Sequence, residues 1–312
     1  MDFINTLGSR WRFSSMLMRI IYINIAVFLV LMVMNFVCSL LNSPVAGLVL
    51  SWIELPSDTS TFATRPWTLI TYMFAQADIF HILFNMLWFY WFGTIFMLVG
   101  DSRRLTALYI YGGIGGGLLF MLAYNFLPLF SGVNGWLIGS SASVIAIVAA
   151  TAILHPDYKI GLLFIGQISL KWIAVVTIAI DLMSVTGANG GGHVSHIGGA
   201  LVGLAYAMSL KRGVDITRPF NKAVDSVVNL ISRLKPVPRE KRSYNAYRRS
   251  GPTARPDTSG QKSSAHTQPK SGQSMADEAE LDAILEKIKK NGYAGLTQDE
   301  KKRLFDISKQ IK

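Results

Sequence analysis

GSSASVIAIVAATAIL, at residues 139–154, and HVSHIGGALVGLAYAMSL, at residues 193–210, are apolar stretches that open with polar side chains. Each stretch is nearly long enough to cross a membrane as a helix. Ser141 and His196 lie a turn or two inside them, where a polar group costs free energy unless it faces the interior of a helix bundle. A serine and a histidine are also the nucleophile and base of acyl-transfer enzymes. The pair therefore predicts a membrane protein and indicates acyl-transfer chemistry.

The composition supports a membrane protein with a polar tail. Of the 312 residues, 51% are hydrophobic and only 16% are charged, against about 25% in soluble domains. The net charge of +11 could indicate nucleic-acid binding. The sequence has no basic motif interleaved with aromatic residues and no zinc-finger spacing, however. Basic residues in the loops beside a membrane therefore explain the positive net charge better. The single cysteine, Cys38, lies in an apolar run and excludes an intrachain disulfide.

Six apolar stretches predict an all-α, polytopic membrane protein whose helices form a bundle. They cover residues 20–41, 79–99, 104–127, 138–154, 170–187 and 193–210. The first follows three arginines and, at about 22 residues, is long enough to span. We therefore interpret it as a retained helix and not as a cleaved signal peptide.

Basic residues alternate between the connections and predict the orientation. They are concentrated before the first span, after the second, after the fourth and after the sixth, at Arg10, Arg12, Arg19, Arg103, Arg104, Lys159, Lys171, Lys211 and Arg212. The positive-inside rule then places both termini in the cytoplasm. Spans two, four and six run inward, so His81, Ser141 and His196 near their starts share a depth of about 5 Å below the outer surface.

Two further polar residues accompany the serine. His81 and Asn85 are one turn apart on one helix face, and both can donate hydrogen bonds to a developing oxyanion. Alternatively, they hold helices together. Ser141 opens a helix, where unpaired backbone N–H groups also suit an oxyanion, although a lone serine in a membrane helix more often serves packing.

The histidine helix carries a small-residue motif. Gly199 lies on the face of His196 and forms Gly-x-x-x-Gly with Gly203, which allows close approach to another helix. His196 could otherwise be an interior histidine bonded to a neighbouring helix. His193, one turn earlier, is the competing base; it adjoins glycines 190–192, and we predict a loop or surface position for it.

Three other features have plainer interpretations. Asp181 is a charge inside the fifth span, for which we predict a structural hydrogen bond and not a proton path. The run from Gly112 to Gly117 lies in an apolar span with no preceding strand, so we predict helix packing instead of dinucleotide binding. His155 precedes Pro156 in a connection and is predicted to be a helix-end residue.

Taken together, these elements resemble the rhomboid family of intramembrane serine proteases. The resemblance runs from about residue 65 to residue 203. It comprises PWTLITYMF at 66–74, the His-x-x-x-Asn of residues 81–85, the Gly-x-Ser of residues 139–141, and the histidine helix with its glycines. The set is specific, whereas any single element is not.

The resemblance implies a Ser–His dyad that lacks a carboxylate and needs no metal or other cofactor. Ser141 would be the nucleophile and His196 the general base and then acid. His81, Asn85 and the backbone N–H of Ser141 would stabilise the oxyanion. Gly139, Gly199 and Gly203 would give structural support.

Two positions depart from the family pattern. Ala142 follows the serine where glycine is usual, which is a small-for-small change. Ile145 stands where many members carry an aromatic residue that stacks on the histidine. The second change is expected to loosen the orientation of the histidine, but neither removes a reacting group.

The predicted function is hydrolysis of peptide bonds in or next to transmembrane segments of membrane-protein substrates, in the lipid bilayer of a bacterial inner membrane. The site would open to the periplasmic side.

A catalytically weak or inactive rhomboid-like protein that binds transmembrane clients is the nearest alternative. A channel or transporter would place its polar groups nearer the midplane. A metalloprotease would use His193-x-x-His196, but the sequence shows no His-Glu-x-x-His and no carboxylates clustered beside it.

The remaining chain divides after the predicted membrane domain, residues 1–212. Residues 213–275 are predicted to be a basic, largely disordered cytoplasmic linker. Residues 276–312 are predicted to form a small helical hairpin, with apolar positions Leu281, Ile284, Leu285, Ile288, Leu304, Phe305 and Ile307 and a capping box from Thr297 to Glu300. It resembles, more weakly, a hairpin that follows the membrane domain in rhomboid-like proteins of Bacteroidetes-type bacteria. Docking to a cytoplasmic partner or to the membrane domain is its predicted role.

Overall fold

A computed structural model describes residues 11, 13–162, 166–234, 284, 286–288, 296–301 and 304. The chain separates into two compact units, residues 1–239 and 240–312. In the first unit the described helices are α1 (Met16–Leu40), α2 (Val45–Ser51), α3 (Thr59–Thr64), α4 (Thr68–Thr71), α5 (Ile79–Phe96), α6 (Ser102–Phe126), α7 (Ser141–Leu154), α8 (Leu170–Ser184), α9 (Gly190–Lys211) and α10 (Arg218–Leu234). Short 3₁₀ turns cover Tyr72–Phe74 and Pro128–Phe130.

The predicted all-α polytopic fold is confirmed. By length and composition α1, α5 and α6 can each cross a membrane, and α7 is a shorter apolar helix. These helices, with α8 and α9, coincide with the six predicted spans to within a few residues. Capping residues mark the starts of two of them. The Asp78 carboxylate accepts the N–H groups of Phe80 and His81 at the start of α5, and the Asp101 carboxylate accepts those of Arg103 and Arg104 at the start of α6.

The last membrane helix begins at Gly190, three residues earlier than predicted. Glycines favour loops, but a Cβ added to Gly191 would come within 2.8 Å of the Phe120 ring. Close packing against α6 therefore outweighs the poor helix propensity of glycine. His193 consequently lies inside α9 and is partly buried, so the prediction of a loop or surface histidine was wrong.

Small residues bring α9 close to both α6 and α7. A Cβ on Gly199 would meet the Ala142 carbonyl oxygen, and one on Gly203 would meet that of Ala146. A Cβ on Gly198 would lie 2.6 Å from the carbonyl oxygen of Gly115 on α6. The glycine run of α6 therefore packs helices, as predicted.

Two short antiparallel ladders interrupt the helical pattern and were not predicted. Strand β1 (Leu55–Pro56) pairs with β2 (Trp136–Leu137), which ties the segment after α2 to the segment before α7. Strands β3 (Lys159–Leu162) and β4 (Gly166–Ser169) form a hairpin between α7 and α8. Strands of two to four residues leave too little alternation to be recognised in a sequence.

The predicted disordered linker is wrong for residues 218–234, which form α10. Apolar residues recur there at helical spacing, at Phe220, Val224, Val227, Val228 and Ile231. The helix contacts α6 through an ion pair of 2.9 Å between Arg103 and Asp225. Just before it, Asp215 pairs with Arg104 at 2.9 Å.

In the second unit, residue 284 and residues 286–288 are helical. The predicted capping box is present: the Thr297 N–H donates to the Glu300 carboxylate at 2.8 Å, and the Glu300 N–H donates to the Thr297 hydroxyl at 3.4 Å. Leu281, Leu285, Phe305 and Ile307 of the predicted hairpin, and linker residues 235–275, lie outside the described residues.

Candidate active site

Ser141 and His196 meet between the first turn of α7 and the second turn of α9. The Ser141 Oγ and the His196 Nε2 are 2.7 Å apart, a hydrogen-bond distance. The contact is possible because Gly199, almost one turn after His196, lets the two backbones touch. A serine hydroxyl on a histidine nitrogen is the arrangement of an activated nucleophile.

A carboxylate lies on the other side of the histidine. The Asp181 Oδ1 is 2.8 Å from the His196 Nδ1 and 2.9 Å from the His193 Nδ1. Asp181 is only 5% exposed, three residues before the end of α8. Asp181 therefore makes the predicted hydrogen bond, and its partner is the histidine that contacts Ser141. The resemblance, in contrast, implied a dyad without a carboxylate.

The same three side chains offer atoms that could hold a metal ion. One ligand atom from each of Asp181, His193 and His196 lies within 4.8 Å of the other two. The expectation that no carboxylate lies beside the two histidines was wrong, because α8 ends beside the start of α9. The N···O distances of 2.8 and 2.9 Å are those of hydrogen bonds. A zinc ion bound here would lie about 2 Å from each ligand atom and would take the place of the hydrogen-bonding protons between Asp181 and the two histidines.

His81 lies over Gly139, two residues before Ser141. A Cβ on Gly139 would be 2.6 Å from the His81 Cε1 and 3.7 Å from the Ser141 Oγ, so a larger residue would push the ring away. Gly139 also has φ +128°, which favours glycine. The His81 Nδ1 accepts the Ala77 N–H at 3.3 Å. With Nδ1 as acceptor, the proton of the neutral ring is on Nε2, where it can be donated.

Asn85 belongs to a buried polar network that sequence reasoning missed. Its Nδ2 donates to the Gln76 Oε1 at 2.8 Å, and Gln76 in turn donates to Asn24 at 2.9 Å and to Ser140 at 2.8 Å. Gln76 is 4% exposed and uses every polar atom of its amide. A glutamine directly before an apolar span, with an asparagine inside that span, was the available signal.

A cavity of about 210 Å³ lies beside Ser141, His196, Asp181 and Asn85. It is lined by Phe84, Asn85, Trp88, Ser141, Val144, Ile145, Thr177, Asp181 and His196. The first residue of α7 has a backbone N–H without an acceptor in its own helix. The cavity thus presents a hydroxyl, an imidazole and N–H donors beside an apolar wall.

Comparison with known proteins agrees with this architecture. Residues 63–213 match the model of the rhomboid domain. This part of the chain is a rhomboid domain. Residues 273–310 of the rhomboid protein match a second model, described as Family of unknown function (DUF6576).

Several rhomboid proteins are similar in sequence. RHOMBOID-like protein 12, mitochondrial, of Arabidopsis thaliana is 28% identical over 160 residues, 48% of this chain and 48% of that protein. Rhomboid protease GlpG of Yersinia enterocolitica is 26% identical over 166 residues, 52% of this chain and 54% of that protein. Presenilin-associated rhomboid-like protein A, mitochondrial, of Danio rerio is 26% identical over 146 residues, 46% of this chain and 37% of that protein. The chain therefore spans about half the length of these relatives, or less.

Proposed function

We propose that this rhomboid-family membrane protein is an intramembrane serine protease. The observation that carries the proposal is the 2.7 Å contact between the Ser141 Oγ and the His196 Nε2 within a bundle of apolar helices. Its substrates would be membrane proteins, cut in or next to a transmembrane segment. The match to proteins named rhomboid protease supports this class of activity.

The chemistry follows from the positions of the atoms. The His196 Nε2 takes the proton of the Ser141 hydroxyl while the Oγ attacks the scissile carbonyl carbon. His81, Asn85 and the Ser141 N–H donate hydrogen bonds to the oxyanion that forms. The imidazolium then protonates the leaving amine, which releases one product. Water, deprotonated by the same nitrogen, hydrolyses the acyl-enzyme and restores the serine.

The proposed orientation places both termini in the cytoplasm and the site near the outer surface of a bacterial inner membrane. The basic connections support it through the positive-inside rule. Water would then enter the cavity from the outer side. A substrate helix must unwind locally at the cleaved bond, because a helical backbone hides its carbonyl carbon.

The test uses the full-length protein in liposomes with a model substrate that has one transmembrane helix. Wild-type protein should cleave it and Ser141→Ala should not, and a fluorophosphonate should label the wild type at Ser141. Activity should survive EDTA. Loss of activity in EDTA would indicate a metal at the two histidines. A wild-type protein that binds the substrate without cleaving it would favour an inactive client-binding protein.

A further inference from the structure

Asp181 is a charged residue in a part of the chain that normally excludes charge. It belongs to the apolar helix α8 and is 5% exposed. A carboxylate in such surroundings costs free energy unless its contacts offset that cost, and intramembrane charges usually have a function. Among the described residues its two hydrogen-bond partners are both histidines at the start of α9.

The geometry of these contacts determines which nitrogen of His196 carries a proton. An ionised carboxylate only accepts hydrogen bonds, so the His196 Nδ1, 2.8 Å from Oδ1, must be the protonated nitrogen of the neutral ring. The Nε2 then presents a lone pair to the Ser141 Oγ at 2.7 Å. This tautomer is the one that a general base requires.

We propose that Asp181 is a positioning residue that orients His196, so that the site works as a Ser–His–Asp triad. The inference rests on the proposed protease function and deepens it. The carboxylate also faces the positive charge that forms on His196 when the serine loses its proton, which favours the transition state electrostatically.

His193 takes part by holding the carboxylate in place. His193 and His196 are three residues apart, so α9 presents both rings on one face, and both donate to the same oxygen of Asp181. The Asp181 Oδ2 is buried and has no hydrogen-bond partner among the described residues. The position of the carboxylate therefore depends on the two histidines.

A purely structural link between α8 and α9 makes a different prediction. If Asp181 only joined the helices, its removal would lower thermal stability and leave the turnover of folded protein unchanged. If Asp181 positions His196, the loss appears in kcat and leaves KM nearly unchanged, because Asp181 does not touch the substrate.

Asp181→Asn is the appropriate change because it keeps the shape and removes the charge. In folded protein in liposomes we expect kcat to fall at least about tenfold, with KM within about twofold of the wild type. The rate of fluorophosphonate labelling of Ser141 should fall in parallel. Ser184→Ala, three residues further along α8, is the matched control and should keep wild-type kinetics.

The outcomes separate the two proposals. Inactive wild-type protein would refute the protease function itself. An active wild type, an inactive Ser141→Ala and an Asp181→Asn with more than half of the wild-type kcat would refute only the role of Asp181.

A measurement on the unmodified protein covers the case in which Asp181→Asn does not fold. Nitrogen-15 NMR of histidine-labelled wild type in liposomes, with His196 assigned by its loss in His196→Gln, should show a protonated Nδ1 and a bare Nε2. A protonated Nε2 in neutral His196 would overturn the inference.

Discussion

Gly199→Ala should disable the proposed protease by separating Ser141 from His196. A Cβ at Gly199 would lie 3.1 Å from the Cα of Ala142 and 2.9 Å from its carbonyl carbon. Carbon atoms in contact prefer about 3.5–4.0 Å. The carbonyl oxygen of Ala142 would lie closer still. Helices α7 and α9 must therefore move apart by at least roughly 0.5–1 Å.

That displacement acts directly on the reacting atoms, since Ala142 follows Ser141 and Gly199 is almost one turn from His196. Adding about 0.5–1 Å to the 2.7 Å contact takes it to the limit of a hydrogen bond or beyond. A misplacement of this size can cost about 100-fold in rate. We expect a fall of that order in kcat/KM for cleavage of the model substrate in liposomes.

Gly47→Ala is the matched control, because a Cβ there would have nothing within 4 Å. It should keep wild-type kcat/KM. Thermal unfolding in detergent would verify that both variants are folded. Wild-type activity in folded Gly199→Ala would refute the reasoning, since it would show that α7 and α9 need not touch at this glycine.

Two further changes test other parts of the structure. Gln76→Leu should lower the free energy of unfolding by about 1–3 kcal/mol, the cost of leaving a buried partner unsatisfied, and should lower kcat because Asn85 loses its acceptor. Asp58 caps α3, and hydrogen bonds from the hydroxyls of Ser60 and Thr61 and from the Thr61 N–H lower its pKa to about 2. A carboxyl whose pKa is lower in the folded state stabilises the protein above its unfolded pKa, near 4, and that stabilisation is lost as pH falls towards 2. Asp58→Asn should therefore flatten the dependence of the melting temperature on pH between about 5 and 2.

For each of these two predictions a specific outcome would contradict the reasoning. For Gln76, the control is Gln167→Leu at an exposed position of β4, which should change neither stability nor kcat. Equal effects of the two leucine variants would contradict the buried network. For Asp58, a variant whose melting temperature falls with acid as steeply as that of the wild type would show that other carboxyls cause the loss.

Most of the helical framework could be predicted from the sequence. The length of an apolar run and the capping residue before it are local properties, as Asp78 and Asp101 illustrate. Helix α10 is the exception, because the polar composition of the tail predicts disorder whereas Val224, Val227 and Val228 have helical spacing. Local periodicity was the better guide there.

The contact of Asp181 with His196 could be predicted only in part from the sequence. The predicted topology has span five running outward, so a residue near its end had to reach the level of Ser141, and this signal was available. Contact with His196 also requires that α8 present the carboxylate towards α9. Helix rotation of this kind depends on packing across the bundle and not on the composition of one span.

The sequence by itself therefore determined the class of fold and the positions of its apolar helices, because hydrophobic length and helix capping act locally. Only the tertiary structure decided which polar groups touch. The 2.7 Å contact of Ser141 with His196, the shared carboxylate of Asp181 and the amide network of Gln76 join residues that are distant in sequence. Their geometry depends on how closely glycines let helices approach, and hydrogen bonds form only within a few tenths of an ångström of the right distance.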